Sequence, residues 1–163
     1  MLNEPPAINS NLNFALPPVE FQLNVFAVDF NTTISKSKTA VNAEWAWINV
    51  DVPSTYSEQF GRKQQGGFID FVQPLIRKRM LGFEKALLNA ALRLEYVDWN
   101  KGNFKSTGEN IADHVFSIVP AVSWRPTAQT VIRLNYRYNW QKDILGNPPA
   151  KLAGIQFGFS TYF

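Results

Sequence analysis

The chain has 163 residues, a formal net charge of +3 and no cysteine, so disulfides, thiolate metal sites and cysteine nucleophiles are excluded. An apolar fraction of 45% allows a core of ordinary size, and the mild charge predicts no nucleic-acid partner. No window approaches the roughly 18 consecutive apolar residues of a membrane-spanning helix, although the alternating strands of a membrane barrel would leave no such signal. The first ten residues, MLNEPPAINS, lack the basic and apolar regions of a signal peptide.

In chain order, seven segments alternate apolar and polar residues with a period of two, which predicts β-strands. They lie near residues 21–33, 41–47, 69–75, 86–96, 114–124, 130–141 and 152–163. The first segment changes phase near Val25 and Phe26, so the side that it turns to the core stays open, and a β-bulge is one explanation. Pro74 weakens the end of the third segment. Residues 1–20 are predicted to form a loop, with a partial strand near 12–16 as an alternative.

The connections between these segments alternate in length. Residues 35–38 and 125–129 are short connections, 76–85 is intermediate, and 53–66, 98–113 and 142–150 are long and polar. Outer-membrane barrels show this pattern, with long extracellular loops and short periplasmic turns. The basic run of Arg77, Lys78 and Arg79 is interpreted as a solvated turn.

The apolar faces of these strands could meet lipid or could pack the core of a soluble barrel. Lipid is favoured because the polar faces carry few Lys and Glu, several strands reach about 11 or 12 residues, and aromatic residues gather towards strand ends. The predicted aromatic girdle consists of Tyr96, Trp124, Tyr136, Tyr138 and Trp140. The predicted fold class for residues 21–163 is therefore all-β, an antiparallel up-and-down transmembrane β-barrel.

The polar face of the clearest strands is the predicted pore lining. Its residues are Arg93, Glu95, Arg133, Asn135, Arg137, Asn139 and Gln156. Residues two strands apart are separated by about 10 Å, so long Arg and Glu side chains can meet across a strand that carries the small residues Ser117, Ala121 and Ser123 on that face. Two interpretations stay open: a salt-bridged wall that holds the barrel's shape, or a basic stripe that makes the pore prefer anions.

Catalysis and metal binding have weaker support. His114 lies next to Asp113, but no serine motif flanks the pair, and a catalytic triad is recognised by geometry and not by adjacency. The acidic residues Asp98, Glu109 and Asp113 match no calcium-loop spacing. The sequence therefore predicts a protein that is not an enzyme, with no catalytic residue, no metal site and no cofactor.

The last ten residues, GIQFGFSTYF, resemble the C-terminal signature of Gram-negative outer-membrane β-barrel proteins, an alternating strand closed by a phenylalanine. The matching residues are Ile155, Phe157, Phe159 and Phe163, whereas Thr161 and Tyr162 depart from the commonest form. The stretches EWAWINVDVP, KQQGGFIDFVQPLI and LRLEYVDWNKG are similar to the C-terminal part of porin-like proteins, with the phosphate-selective type as the nearest comparison. The resemblance implies recognition by the barrel-assembly machinery and a place in the outer membrane, in contact with the lipid bilayer and lipopolysaccharide.

Seven strands do not close a bacterial barrel, whose strand counts are even and start at eight. We therefore expect the C-terminal part of a larger barrel, or else an eight-stranded barrel that recruits residues 9–16; a mature species near 18.5 kDa would exclude the first. The expected function is passive diffusion of small hydrophilic solutes, with the oligomeric state open and a homotrimer included. The alternatives are a structural or adhesive barrel with a plugged lumen, and a soluble ligand-binding β-barrel.

Overall fold

The alternating segments form the seven antiparallel strands of one sheet in the computed structural model, which describes residues 22–53 and 58–162. The strands are β1 (Leu23–Ile34), β2 (Thr39–Val50), β3 (Lys63–Met80), β4 (Phe83–Asp98), β5 (His114–Arg125), β6 (Thr130–Lys142) and β7 (Ala150–Thr161). Each strand pairs with the next one along the chain, which confirms the all-β, up-and-down prediction. The sheet is open, because within the described residues β1 and β7 do not pair with each other. The predictions for residues 1–20 and for Phe163 lie outside the described residues.

Short and long connections alternate as predicted. Residues 35–38, 81–82 and 126–129 form the short connections, and residues 51–62, 99–113 and 143–149 form the long ones. Because neighbouring strands are antiparallel, the short connections lie at one end of the sheet, the turn end, and the long connections lie at the other, the loop end. The sheet therefore has two chemically different ends.

The predicted intermediate connection at residues 76–85 is instead the end of two long strands. A two-residue turn at Leu81 and Gly82 joins β3 to β4, and both residues have positive φ, of 50° and 88°. Two residues with positive φ make the type I′ turn that suits the twist of a hairpin. The basic run of Arg77, Lys78 and Arg79 lies within β3, so its interpretation as a turn is wrong.

The irregularities of the sheet fall in the β3–β4 ladder. β1 pairs with β2 without interruption from Leu23 to Ile34, so a β-bulge near Val25 is the wrong explanation of the phase change. The register of β3 on β4 shifts between Pro74 and Ile76, and again just before the turn. Proline has no N–H to donate to a ladder, and a bulge is a place where a paired strand tolerates it.

The sheet is a single layer whose faces are not covered by other described residues. Among those residues the buried apolar side chains are few: Val52, Ala86, Ile111, Ala112 and Val119. Every residue of β1 is exposed, and so is nearly every residue of β7. In water, a domain buries the apolar face of a sheet against a second layer. The described residues include no helix with the length and apolarity to cross a membrane.

Candidate functional site

The strand register sorts the side chains onto two faces, because directly paired residues of antiparallel strands point to the same side. The pairs that define the polar face include Arg93 with Val119, Glu95 with Ser117, Ser117 with Asn139, Ser123 with Arg133, Ala121 with Asn135, and Asn135 with Gln156. Strand alternation adds Arg137 to the same side. All seven predicted pore-lining residues therefore share the polar face.

Four charged residues of the polar face form one ion-pair network. Arg93 on β4 donates two hydrogen bonds of 2.6 Å to Asp70 on β3, from Nε to Oδ1 and from Nη2 to Oδ2. Its Nη1 lies 3.4 Å from Oε1 of Glu95. Arg137 on β6 donates from Nη1 to Glu95 Oε2 at 2.5 Å and from Nη2 to Glu95 Oε1 at 3.1 Å. The network joins three strands and pairs two guanidinium groups with two carboxylates, so it carries no net charge.

Arg137 reaches Glu95 across β5 because the residue between them is small. Ser117 pairs with Glu95 in the ladder, is 1% exposed, and has its Oγ 3.4 Å from Arg137 Nη1. The predicted meeting of Arg and Glu side chains over a small-residue strand is confirmed. The sequence did not indicate that Asp70 is the main partner of Arg93. It also did not indicate the contact of Arg93 with Phe68, whose ring centroid lies 4.1 Å from the guanidinium carbon. Only the β3–β4 register reveals these two contacts.

A second cluster on the polar face carries positive charge that no carboxylate neutralises. Arg125 and Arg133 have no ion-pair partner among the described residues. With Asn89, Ser123 and Asn135 they line a concavity of about 210 Å³ on the polar face. Asn89 Nδ2 donates to Ser123 Oγ at 3.2 Å, and Oδ1 of Asn135 is buried without a hydrogen-bond partner. This cluster offers guanidinium, amide and hydroxyl groups to a solute.

The other side of the polar face is acidic. Asp29 on β1 pairs directly with Glu44 on β2, and Glu44 pairs on its other side with Phe68. No cation among the described residues forms an ion pair with either carboxylate. The polar face therefore changes sign across the sheet, from acidic at β1 and β2 to basic at β5 and β6.

The opposite face, which we call the apolar face, carries an aromatic row at the loop end. The ring centroids of Trp45 and Tyr96 are 6.1 Å apart with nearly parallel planes, and those of Phe116 and Trp140 are 5.6 Å apart. Tyr138 contacts Trp140 edge-on at 4.5 Å. The row thus crosses the sheet from β2 to β6. Aromatic pairs of this kind contribute about 0.5–1.5 kcal/mol each beyond the area they bury.

Gly67 allows Trp45 and Tyr96 to stack. It lies on β3 between the two residues and pairs with both. A Cβ at this position would clash with the backbone oxygen of Glu44 and would lie 2.8 Å from Cε3 of Trp45. A glycine contributes no side chain to the alternating pattern, so that pattern contained no signal for this role.

A smaller aromatic cluster occupies the apolar face at the turn end. Phe83 contacts Trp124 edge-on at 5.7 Å, and Phe159 lies in the same cross-strand row as Trp124 through Ile132. Along β5, Phe116 of the loop-end row and Trp124 are eight residues apart, which is about 26 Å of strand. At the 35–45° tilt of a membrane-barrel strand, this length spans about 20 Å along the barrel axis, compared with an apolar band about 25 Å tall in such barrels.

Between the two aromatic rows, β4 to β7 present no charged residue on the apolar face. The residues there are Ala90, Leu92, Leu94, Ile118, Pro120, Val122, Leu134, Tyr136, Ala153, Ile155 and Phe157. Many are exposed, from 38% for Leu92 to 75% for Ile155. We call this region the apolar band.

The predicted girdle residues all lie on the apolar face, but they do not form one row. Tyr96, Tyr138 and Trp140 belong to the loop end and Trp124 to the turn end, whereas Tyr136 lies at the centre of β6, within the apolar band. Three residues of the predicted assembly signal, Ile155, Phe157 and Phe159, also lie on the apolar face and are 62–75% exposed.

The long connections pack together at the loop end. Asn100 Nδ2 donates to Glu58 O at 2.8 Å, and Lys105 N donates to Glu58 Oε1 at 2.9 Å, which joins the first connection to the second. In the third connection, hydrogen bonds from the side chain and the backbone of Asn147 lower the pKa of Asp143 below its usual value. The described residues of the long connections therefore form an ordered cap at the loop end.

The residues considered for chemistry do not form a second site. His114 lies on the apolar face, where its ring centroid is 5.7 Å from that of Tyr96. In the part of the chain that the structure describes, no three His, Asp or Glu side chains are placed to hold a metal ion.

Comparison of the chain with protein-family models, curated proteins and solved structures gave no match. Its function is therefore argued from the two faces of the sheet.

Proposed function

We propose that the sheet is part of the wall of a transmembrane β-barrel in the Gram-negative outer membrane, and that its polar face lines a water-filled channel for small hydrophilic solutes. The observation that carries this proposal is the uncharged, exposed apolar band between two aromatic rows. In water, such a band would be an apolar patch of a size that monomeric soluble proteins rarely expose. In lipid, it matches the outer surface of a membrane barrel, with aromatic rings at the level of the headgroups.

The proposal assigns a partner to each exposed surface. Lipid tails cover the apolar band, and lipopolysaccharide and phospholipid headgroups surround the aromatic rows. The barrel-assembly machinery recognises β7, whose exposed Ile155, Phe157 and Phe159 present an alternating apolar face. Further strands pair with the free edges of β1 and β7, because an unpaired backbone group in hydrocarbon costs several kcal/mol. The channel works by diffusion, without covalent chemistry or a cofactor.

The anion preference rests on fewer residues than the sequence pattern suggests. Arg93 and Arg137 are neutralised by Asp70 and Glu95 and form a shape-holding wall. Among the residues that line the concavity, the cations left for a passing anion are Arg125 and Arg133. We therefore propose that this cluster is a local anion subsite, because charged groups at close quarters set the selectivity of a pore.

The first test is whether the fold depends on lipid. The chain is refolded in plain buffer and in detergent micelles, and circular dichroism and heat-shifted gel mobility are recorded. A β-rich fold only in micelles supports the proposal. A monomeric β fold in plain buffer would contradict it and would favour a soluble ligand-binding barrel.

Single-channel recording in planar bilayers, on the closed barrel that contains this sheet, then tests conduction and selectivity. Arg133→Gln should keep the conductance and lower the permeability of anions relative to cations. Lys151→Gln is the matched control, since it removes the same charge from the apolar side of the sheet, where Lys151 pairs with Trp140. Equal reversal potentials for the two variants would contradict the anion subsite.

The ordered cap favours one alternative, a structural or adhesive barrel with a plugged lumen. Contacts such as those of Glu58 with Asn100 and Lys105 hold the loops in a defined surface that could bind an outside partner. Conductance separates the two functions. A barrel that folds in lipid but passes no current, even at high salt, would support the plugged alternative.

A further inference from the structure

The hairpin formed by the ends of β3 and β4 projects from the turn end of the sheet. The last pair of β2 with β3 is Ala40 with Val72, and the pairing of β4 with β5 stops at Leu87 and Arg125. The remainder of β3, up to Met80, pairs on one side only, with β4. The end of β3, the turn at Leu81 and Gly82, and the start of β4 therefore form a two-stranded ribbon with free edges. We call this ribbon, residues 75–86, the basic hairpin.

The charge at the turn end is strongly one-sided. The basic hairpin carries Arg77, Lys78, Arg79 and Lys85 against one carboxylate, Glu84. The neighbouring turns and strand ends add Lys36, Lys38 and Arg125. None of these cations forms an ion pair within the described residues. At the loop end, by contrast, cations and carboxylates are interspersed.

Cations on a free strand edge have a simple structural explanation, because they block edge-to-edge aggregation. That explanation does not extend to the tip of the hairpin. Leu81 has φ of 50° and is 83% exposed. A bulky side chain is unfavourable at positive φ, and Asn or Gly is the usual residue of a type I′ turn. The hairpin therefore holds an apolar side chain in water at a position where its backbone is strained.

We propose that the basic hairpin is a docking site for an acidic protein segment. Arg77 pairs with Leu87 of β4, and Arg79 lies two residues further on, at the second register shift of β3. Each guanidinium can bind a carboxylate through two parallel hydrogen bonds. The free edge of β3 beyond Val72 can accept an extended strand through backbone hydrogen bonds. Leu81 supplies an apolar anchor at the tip. The cations repel basic segments and second copies of this chain, so only an acidic segment matches the edge.

A protein segment fits the basic hairpin better than a lipid surface does, because only a peptide can form backbone hydrogen bonds with the free edge of β3. Phe83 contacts Trp124 of the turn-end aromatic cluster, so the hairpin begins at the level of that cluster. Anionic vesicles are therefore the competing partner in the test.

The test uses a fluorescent peptide of alternating Glu and Val as the probe, with a Lys and Val peptide as the control. Anisotropy titrations are run at low salt on the full chain folded in zwitterionic micelles. We expect the acidic peptide alone to bind. The double variant R77Q/R79Q should weaken binding about tenfold, the equivalent of about 1.4 kcal/mol. The double variant K36Q/K38Q, which removes the same charge from the adjacent turn, should change it less than threefold.

Leu81→Asn separates binding from folding. It relieves the strained turn and should raise the urea midpoint, yet it should also weaken the acidic peptide several-fold because the apolar anchor is lost. Equal losses in the two double variants, or an unchanged affinity in Leu81→Asn, would overturn the proposal. Tighter binding of single-stranded DNA or of anionic vesicles through Arg77 and Arg79 would overturn it as well. Conductance is recorded on the closed barrel that contains this sheet, so a failed channel and a failed docking site are distinguished.

Discussion

Placing a lysine in the apolar band gives the sharpest test of which solvent the apolar face meets. Ile155 lies on β7 opposite Tyr136, midway between the two aromatic rows, and is 75% exposed. In water, replacing a side chain so exposed changes the free energy of unfolding by about 0.5 kcal/mol or less. At the middle of a bilayer, a lysine on the lipid face costs about 2–4 kcal/mol. Ile155→Lys should therefore lower the folding equilibrium constant about 30-fold or more in lipid.

The matched control is Leu145→Lys. Leu145 lies in the connection between β6 and β7 and is 73% exposed, so it tests the same kind of change at nearly the same exposure but outside the band. Urea titrations of the chain refolded in phosphatidylcholine vesicles, followed through the fluorescence of its five tryptophans, give the free energy for each variant. Equal values for the two variants would refute the lipid assignment.

Three further predictions concern the packing of the sheet, its ion pairs and its loops. Gly67→Ala should destabilise the fold by about 1–3 kcal/mol, because the added Cβ has no room. The control is Gly154→Ala, where nothing lies within 4 Å of the added Cβ, so the free energy of unfolding should change by no more than about 0.5 kcal/mol. Urea titration compares the two variants. Glu95→Gln leaves Arg137 without its carboxylate, so we expect the free energy of unfolding to fall by about 1–2 kcal/mol and the reversal potential to shift towards anions. No change in either quantity would contradict the network. Asp143 has a lowered pKa in the folded chain, so its contribution to loop order is present above its unfolded pKa of about 3.9 and is lost as the pH falls through the lower, folded value. The amide protection factors of residues 143–147, which compare the observed exchange rate with the intrinsic rate at the same pH, should therefore fall at acidic pH, and Asp143→Asn should remove that dependence.

Strict alternation determined the strands, because a period of two places successive residues on opposite faces in any extended chain. It fixed the centres of β4, β5 and β6 and the sides of Arg93, Glu95 and Arg137. It failed at residues 76–85, where basic and turn-forming residues hide a continuous hairpin. Local pattern identifies a turn poorly when the strand edge is charged, because solvated edges and solvated turns share the same composition.

What only the tertiary structure decided is register, since the sequence pattern is unchanged when a strand slides by two residues. Register places Asp70 beside Arg93 and gives the network its neutral balance, which leaves Arg133 as an unpaired cation. It also places Gly67 under Trp45. The sequence by itself determined that one face of this sheet is apolar and the other polar, because alternation follows from backbone geometry. Which charges meet, and which are left for a solute or a partner, depends on contacts between residues far apart in the chain, and those exist only once the strands have paired.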